Sequence, residues 1–249
     1  MPRSNLITRT GSKQTDIKFF KHLLPMDVKN VVEPFGGSFA VIRDVYADKK
    51  YKKFVNDLDP NLYYVYKHPE ELVEAYKKWN EINDDLKIKT SKEKKEKLKE
   101  LNINDYLKQY IMDTQITRGV ITKSKNIDDV KPDLDFIKKI DFSHEDAFEF
   151  MKPFLSKKDT FIFLDPPYLF SNNETYFPQN KEEGDMDMTD YYIKFIDILK
   201  DKKTKAKIML VINDLKILRW LYKDFVKGDY MRIYQASKKK SKHLIITNY

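Results

Sequence analysis

The stretch that most constrains this chain is Thr160-Phe161-Ile162-Phe163-Leu164-Asp165-Pro166-Pro167-Tyr168. Its run of apolar residues, aromatic and β-branched ones among them, predicts a strand buried on both faces. The two prolines cannot donate to a ladder, so the strand stops there. Asp165 is thereby delivered to the carboxyl end of a core strand, where open α/β sheets keep their ligand crevice. Each X-Pro step also restricts the residue before it, which stiffens the backbone from Asp165 onward without any side-chain packing.

This geometry suits methylation of an aromatic amine. Such an amino group is a poor nucleophile, because its lone pair is delocalised into the ring. A carboxylate and a fixed backbone carbonyl that accept both N–H bonds draw the nitrogen towards a tetrahedral form. Asp165 and the Pro166 carbonyl are the expected acceptors, with Tyr168 stacked on the base to hold it in line with a methyl donor. The competing reading is a strand that ends in a Pro-Pro turn, with Asp165 capping the segment after it. Context decides between them.

At 249 residues the chain holds one sizeable α/β domain with an insertion, or two small domains. It has no cysteine, which excludes a disulfide framework, a thiolate zinc site and a cysteine nucleophile. Methylation at C5 of cytosine conventionally needs that nucleophile and is disfavoured. The formal charge of +8 points weakly to a polyanionic partner, since a lysine-rich bias also follows from genome composition. No run of eighteen apolar residues exists, and the first residues lack an apolar signal core. A soluble, intracellular chain without a transmembrane helix is therefore expected.

Upstream, Gly11-Ser12-Lys13 reads as a flexible turn before a helix capped by Thr15 or Asp16, with Ile17, Phe20 and Leu24 on its apolar face. Lys13 is placed there to meet an anion; a solvated loop lysine is the alternative. Residues 30–41 read as strand, small-residue turn and apolar helix, the first half of a nucleotide-type fold. Two of the chain's six glycines, Gly36 and Gly37, are spent on that turn. Residues 51–59 read as a second strand. Asp57 lies twenty residues past Gly37, the spacing of a ribose-binding carboxylate, with a turn or cap as the alternative.

Residues 69–132 read as a helical insertion. Leu72, Val73, Tyr76, Trp79 and Ile82 fall at helical spacing, and Ser91 opens a capping pattern before a mixed-charge helix whose lysines read as a solvated face rather than a DNA clamp. Thr114 to Gly119 carries side chains of the type that read base edges. Residues 137–148 read as a third strand, a loop and a helix, with Asp146 either meeting an adenine amino group or capping the helix. Residues 169–190 are long enough for a mobile active-site loop. Residues 189–199 and 215–225 read as helices, and residues 207–213 as a buried strand. Residues 230–235 and 243–248 form a hairpin about residues 237–241, in which His243 is expected to be structural. No internal repeat or metal-ligand cluster is recognisable.

The order of these motifs resembles that of the Dam-type (class alpha) N6-adenine DNA methyltransferases, over most of the chain. Gly11-Ser12-Lys13 is similar to the family's Gly-Gly-Lys turn, whose lysine meets the methionine carboxylate of the cofactor. Val32-Glu33-Pro34-Phe35 followed by Gly37 is similar to its Glu-Pro-Phe glycine loop, and Asn56-Asp57-Leu58 sits where its ribose-binding acid belongs. Asp165-Pro166-Pro167-Tyr168 matches its catalytic motif, and the tail from Leu244 to Tyr249 resembles its closing strand. The resemblance implies cofactor binding by Arg9, Lys13, Glu33, Pro34, Phe35, Gly37, Ser38, Asp57, Asp146 and Asp165, and catalysis by Asp165, Pro166 and Tyr168.

It further implies S-adenosyl-L-methionine as cofactor, double-stranded DNA as partner, no metal, and methyl transfer to N6 of a flipped-out adenine. The expected fold is a Rossmann-like methyltransferase: a seven-stranded, mostly parallel sheet with an antiparallel strand at the C-terminus. Residues 1–68 and 133–249 would form the catalytic domain, and residues 69–132 the target-recognition region. Phe39 stands where the family's loop has its last glycine, Arg9 where an aromatic residue is common, and no target-recognition pattern is recognisable. Methylation of cytosine N4 and a catalytically silent DNA-binding subunit of the same fold are the alternatives.

Overall fold

The computed structural model describes residues 5–169, 188–233 and 240–249, except residues 10, 86, 89, 118, 119, 122 and 123. The chain opens with a short helix α1 (Ile17–Phe20) and a 3-10 turn, followed by β1 (Asn30–Glu33), α2 (Ala40–Asp44), β2 (Lys52–Asn56) and α3 (Pro60–Lys67). A helical run comes next: α4 (Pro69–Asp84), α5 (Ser91–Glu100), α6 (Asp105–Gln115), the two-residue strands β3 (Ile116–Thr117) and β4 (Val120–Ile121), and α7 (Ile127–Ile137). The chain returns through β5 (Asp141–Ser143), α8 (Ala147–Leu155), β6 (Thr160–Leu164), α9 (Met188–Lys200), β7 (Lys207–Asn213) and α10 (Lys216–Leu221). It closes with β8 (Val226–Ile233) and β9 (Lys240–Thr247).

Seven strands form one sheet in the order β5-β2-β1-β6-β7-β9-β8. The first five in that order are parallel, while β9 runs antiparallel to both β7 and β8. From β1 the chain steps one way to β2 and β5; from β6 it steps the other way to β7. The order reverses between β1 and β6, so the carboxyl ends of these two strands flank the crevice of a doubly wound sheet. Their register, Asn30↔Thr160 to Val32↔Ile162, makes both strands leave the sheet at the same edge.

All five residues of β6 are buried, because both faces of the sheet are covered. Phe161 and Phe163 join a core with α1 to α7, and Ile162 and Leu164 join one with α8, α9 and α10. The helical run between β2 and β5 is continuous with the first core: Leu72, Tyr76, Trp79, Leu98 and Tyr110 cluster with Val31, Val41 and Phe161.

Several elements differ from the sequence reading. Asp16 does not cap α1; its buried carboxylate accepts hydrogen bonds from Tyr230 and Arg232 instead. The N-cap of α5 is Thr90, one residue earlier than expected, in a reciprocal capping box with Glu93. Residues 137–140 finish α7 and its turn, leaving β5 only three residues, because Ile137 and Ile140 are buried at helical spacing. The last helix is shorter than expected, and β8 begins at Val226 with a register shift before Gly228. Thr114 and Gln115 do not stand out as base readers: Thr114 donates to the Tyr110 carbonyl and Gln115 is buried. Arg118, Gly119, most of residues 169–190 and most of the 237–241 turn lie outside the described residues.

Candidate active site

Pro34 and Phe35 carry β1 into a turn at Gly36 and Gly37. The Gly36 amide donates to the Asn56 carbonyl at 2.7 Å, so the turn lies close against β2. A β-carbon at Gly36 would overlap Val55 Cγ1 and sit 3.0 Å from the Asn56 oxygen. Gly37 has a φ of 51°, in the left-handed region that glycine enters without steric cost. Phe39 then takes φ 39° and ψ 47°, also in the left-handed region. That conformation costs a non-glycine residue about 1–2 kcal/mol. Its ring, however, is buried against Tyr66 and Phe142, with centroids 5.8 and 5.9 Å away, and losing a buried Phe costs about 3–5 kcal/mol. Ring burial outweighs the strain.

Phe39 has no side-chain oxygen with which to cap α2. Glu33 supplies one across the turn: its Oε1 accepts the Ile42 amide at 2.6 Å. Burial pushes the Glu33 carboxyl up to about 8, so it is mostly protonated at neutral pH and still accepts through its carbonyl oxygen.

At the end of β2, the buried Asn56 side chain ties three strand ends together. Its Nδ2 donates to the carbonyls of Pro34 and Glu145, at 3.1 and 2.9 Å, and its Oδ1 accepts the Glu145 amide at 2.9 Å. Asp57 accepts the Gly37 amide at 2.8 Å through Oδ2 and the Asp59 amide at 3.0 Å through Oδ1. Burial raises its pKa, with Arg9 pulling the other way. Arg9 is paired with Asp59, which also caps α3. The N-terminal turn is fastened to the glycine turn by a 2.7 Å hydrogen bond between the Ser38 and Ser12 hydroxyls.

Lys13 is 4% exposed, and its ammonium donates to Asp165 Oδ1 and, at 3.4 Å, to the Tyr168 hydroxyl. Lys13, the residue that the resemblance assigns to the cofactor carboxylate, thus lines the cavity while paired with the carboxylate at the end of β6. Burial raises the Asp165 pKa, and Lys13 opposes that rise. One cavity is lined by Arg9, Lys13, Glu33, Pro34, Phe35, Gly37, Ser38, Asp57, Asp165, Pro166 and Tyr168 together. Glu145, Ala147, Met188 and Tyr191 also line it, and only the structure brings these four in. Asp146 stands apart. Its carboxylate caps α8 through the Phe148 and Glu149 amides and accepts the Tyr191 hydroxyl.

Sequence reasoning also missed a layer behind Tyr168. His243, a residue of β9 as expected, is fully buried with Nε2 2.7 Å from the Tyr168 hydroxyl. Arg232 on β8 donates to the Gly11 and Ser12 carbonyls of the turn that carries Lys13. No local signal marks these contacts, because they depend on the order of strands at the sheet edge.

Comparison with protein families matches residues 10–241 to the family described as D12 class N6 adenine-specific DNA methyltransferase. Among curated proteins, the chain is similar to the Type II methyltransferase M.CviBI of Paramecium bursaria Chlorella virus NC1A, 22% identical over 272 aligned residues that cover 98% of this chain and 99% of the relative. None of the described helices is long and apolar enough to cross a membrane. Among the described residues, no group of three or more His, Cys, Asp or Glu could hold a metal ion. A family match over that much of the sequence, on a cavity at the switch point of a seven-stranded sheet, makes this chain a member of the D12 class of N6 adenine-specific DNA methyltransferases.

Proposed function

We propose that this methyltransferase holds S-adenosylmethionine in the cavity between Asp57 and Lys13, and that Asp165, Pro166 and Tyr168 act on adenine N6 in double-stranded DNA. The observation that carries this reading is the convergence of the glycine turn, Asp57 and Asp165 on one cavity at the carboxyl ends of β1, β2 and β6. The residues fit the cofactor's chemistry. Each Asp57 oxygen accepts one backbone amide and retains a lone pair for a ribose hydroxyl. A β-carbon at Gly37 would meet nothing nearer than Arg9 Cγ at 4.0 Å, so the backbone there is open to close approach. Pro34, Phe35, Ala147 and Met188 offer apolar walls for a base.

Bound there, the cofactor supplies an activated methyl group. Asp165 and the Pro166 carbonyl accept the two N–H bonds of the target amine and free its lone pair for attack. Tyr168 stacks on the flipped base. Lys13 fixes the orientation of Asp165 and favours its ionised form. After transfer the nitrogen sheds a proton, and Asp165, with its pKa raised by burial, stands ready to take it. Residues 69–132 are assigned to target recognition, on a catalytic domain of residues 1–68 and 133–249.

The test is tritiated-methyl transfer to unmethylated phage DNA, with product nucleosides identified by mass. Asp165→Asn keeps the shape and one acceptor oxygen but loses the charge that stabilises positive charge developing on nitrogen. Turnover should fall on the order of a hundredfold or more, with S-adenosylmethionine affinity largely kept. An Asp165→Ala enzyme as active as wild type, or methylcytosine as the product, would refute the reading.

A further inference from the structure

Asp165 and Pro166 are set by a buried strand and a stiff Pro-Pro backbone, but the backbone does not set the two side-chain torsions of Tyr168. Stacking needs that ring held at one angle, and immobilising such a side chain on binding costs entropy unless the protein has already done so. The constraint comes from the sheet edge. β9 pairs with β7 and β8 so that Asn213, His243 and Tyr230 lie in register across three strands. Tyr230 stacks on the His243 ring, with centroids 5.1 Å apart and planes 16° from parallel. Tyr230 is itself fixed by its hydroxyl, which donates to the buried Asp16 carboxylate at 3.0 Å. That stacking holds the plane of the imidazole, whose Nε2 lies 2.7 Å from the Tyr168 hydroxyl.

Resting on the function proposed above, we infer that His243 is a positioning residue for methyl transfer: it accepts the Tyr168 hydroxyl proton at Nε2 and locks the ring that stacks on the target base. The donor pattern agrees. Lys13 has only protons to give, so the Tyr168 oxygen is the acceptor in their 3.4 Å contact. A hydroxyl that accepts from an ammonium is a better donor to its next partner, here a neutral imidazole. Burial, with Lys13 and Arg232 nearby, pushes the His243 pKa down to about 4, which keeps the lone pair available at neutral pH.

Four proteins test this: His243→Phe, Tyr168→Phe, the double variant and His243→Gln. Phenylalanine keeps a ring on Tyr230 while removing the acceptor; glutamine returns a polar atom near the Nε2 position. On unmethylated phage DNA, His243→Phe should lower kcat about three- to tenfold, the scale of one lost hydrogen bond, with KM for S-adenosylmethionine unchanged. His243→Gln should recover most of the loss. In the Tyr168→Phe background the His243→Phe change should do nothing further to kcat, since the hydroxyl it acts through is gone. An equal loss with and without that hydroxyl would mean a packing role only and overturns the inference, as does a wild-type rate for His243→Phe. The same proteins unfolded in urea without DNA give a readout that survives failure of the proposed function. Non-additive midpoints are expected for the pair, and additive ones overturn the contact whatever the enzyme methylates.

Discussion

Gly36 and Gly37 are adjacent, yet each is glycine for a different reason, and substitution should separate the two. At Gly36 the backbone conformation is ordinary, but a β-carbon would strike Val55 and the Asn56 carbonyl. Because a strand backbone cannot yield cheaply, Gly36→Ala should destabilise by about 1–3 kcal/mol through overpacking and push β2 away from the cavity. At Gly37 there is room, and only the positive φ opposes a side chain. Gly37→Ala should cost about 1–2 kcal/mol with little displacement. Urea unfolding followed by tryptophan fluorescence ranks the pair; an unchanged midpoint for Gly36→Ala would show that the turn does not press on β2. Phe39→Gly belongs to the same comparison. It relieves the left-handed strain but removes a buried ring, and the net effect should be destabilising because the second cost is larger.

Among the elements, α2 shows how a helix start is completed from outside its own sequence. Its N-cap residue is Phe39, so the Ile42 amide is satisfied by Glu33 on β1. The folded pKa of Glu33, about 8, lies above the 4.5 of the free side chain, so the native state holds a proton that the unfolded chain releases between those values. Stability from this group is fully present below the unfolded pKa and is lost as pH rises towards the folded one. Glu33→Gln keeps a carbonyl acceptor and cannot ionise. Its stability relative to wild type should therefore rise between about pH 5 and about pH 8. Urea midpoints at both ends check this, and a pH-independent difference would contradict a neutral, buried Glu33.

On the scale of the whole molecule, the +8 charge is not spread evenly over what could touch DNA. Two of the five lysines of helix α5 are paired within it, Lys97 with Glu100 and Lys99 with Glu96, and Lys94 is buried on the Asn83 carbonyl. If the paired lysines serve the helix and not phosphate, a Lys97/Lys99→Ala variant should keep the salt dependence of DNA binding. The slope of log K against log salt should then change by less than about one unit, where each lost phosphate contact would remove about one. Fluorescence anisotropy over a salt series measures it, and a slope shallower by about two units or more would make α5 part of the DNA interface.

What could be read from residues alone was whatever rests on local chemistry. The apolar run of β6 stopped by Pro166 and Pro167, the strand Lys207–Asn213, the glycine turn and the acid at the end of β2 all stand where the sequence reading put them. Apolar runs, prolines and glycines act on their own neighbours, so their effect survives without tertiary context. The extent of β5 was misread, since Ile137 and Ile140 fit a helix as well as a strand and only packing settles the period. Contacts across the sheet were not legible at all. Tyr168 meets His243 from 75 residues away, and Arg232 meets Asp16 from 216. No local preference encodes either pair; the order β6-β7-β9-β8 and the register of its last three strands bring them together.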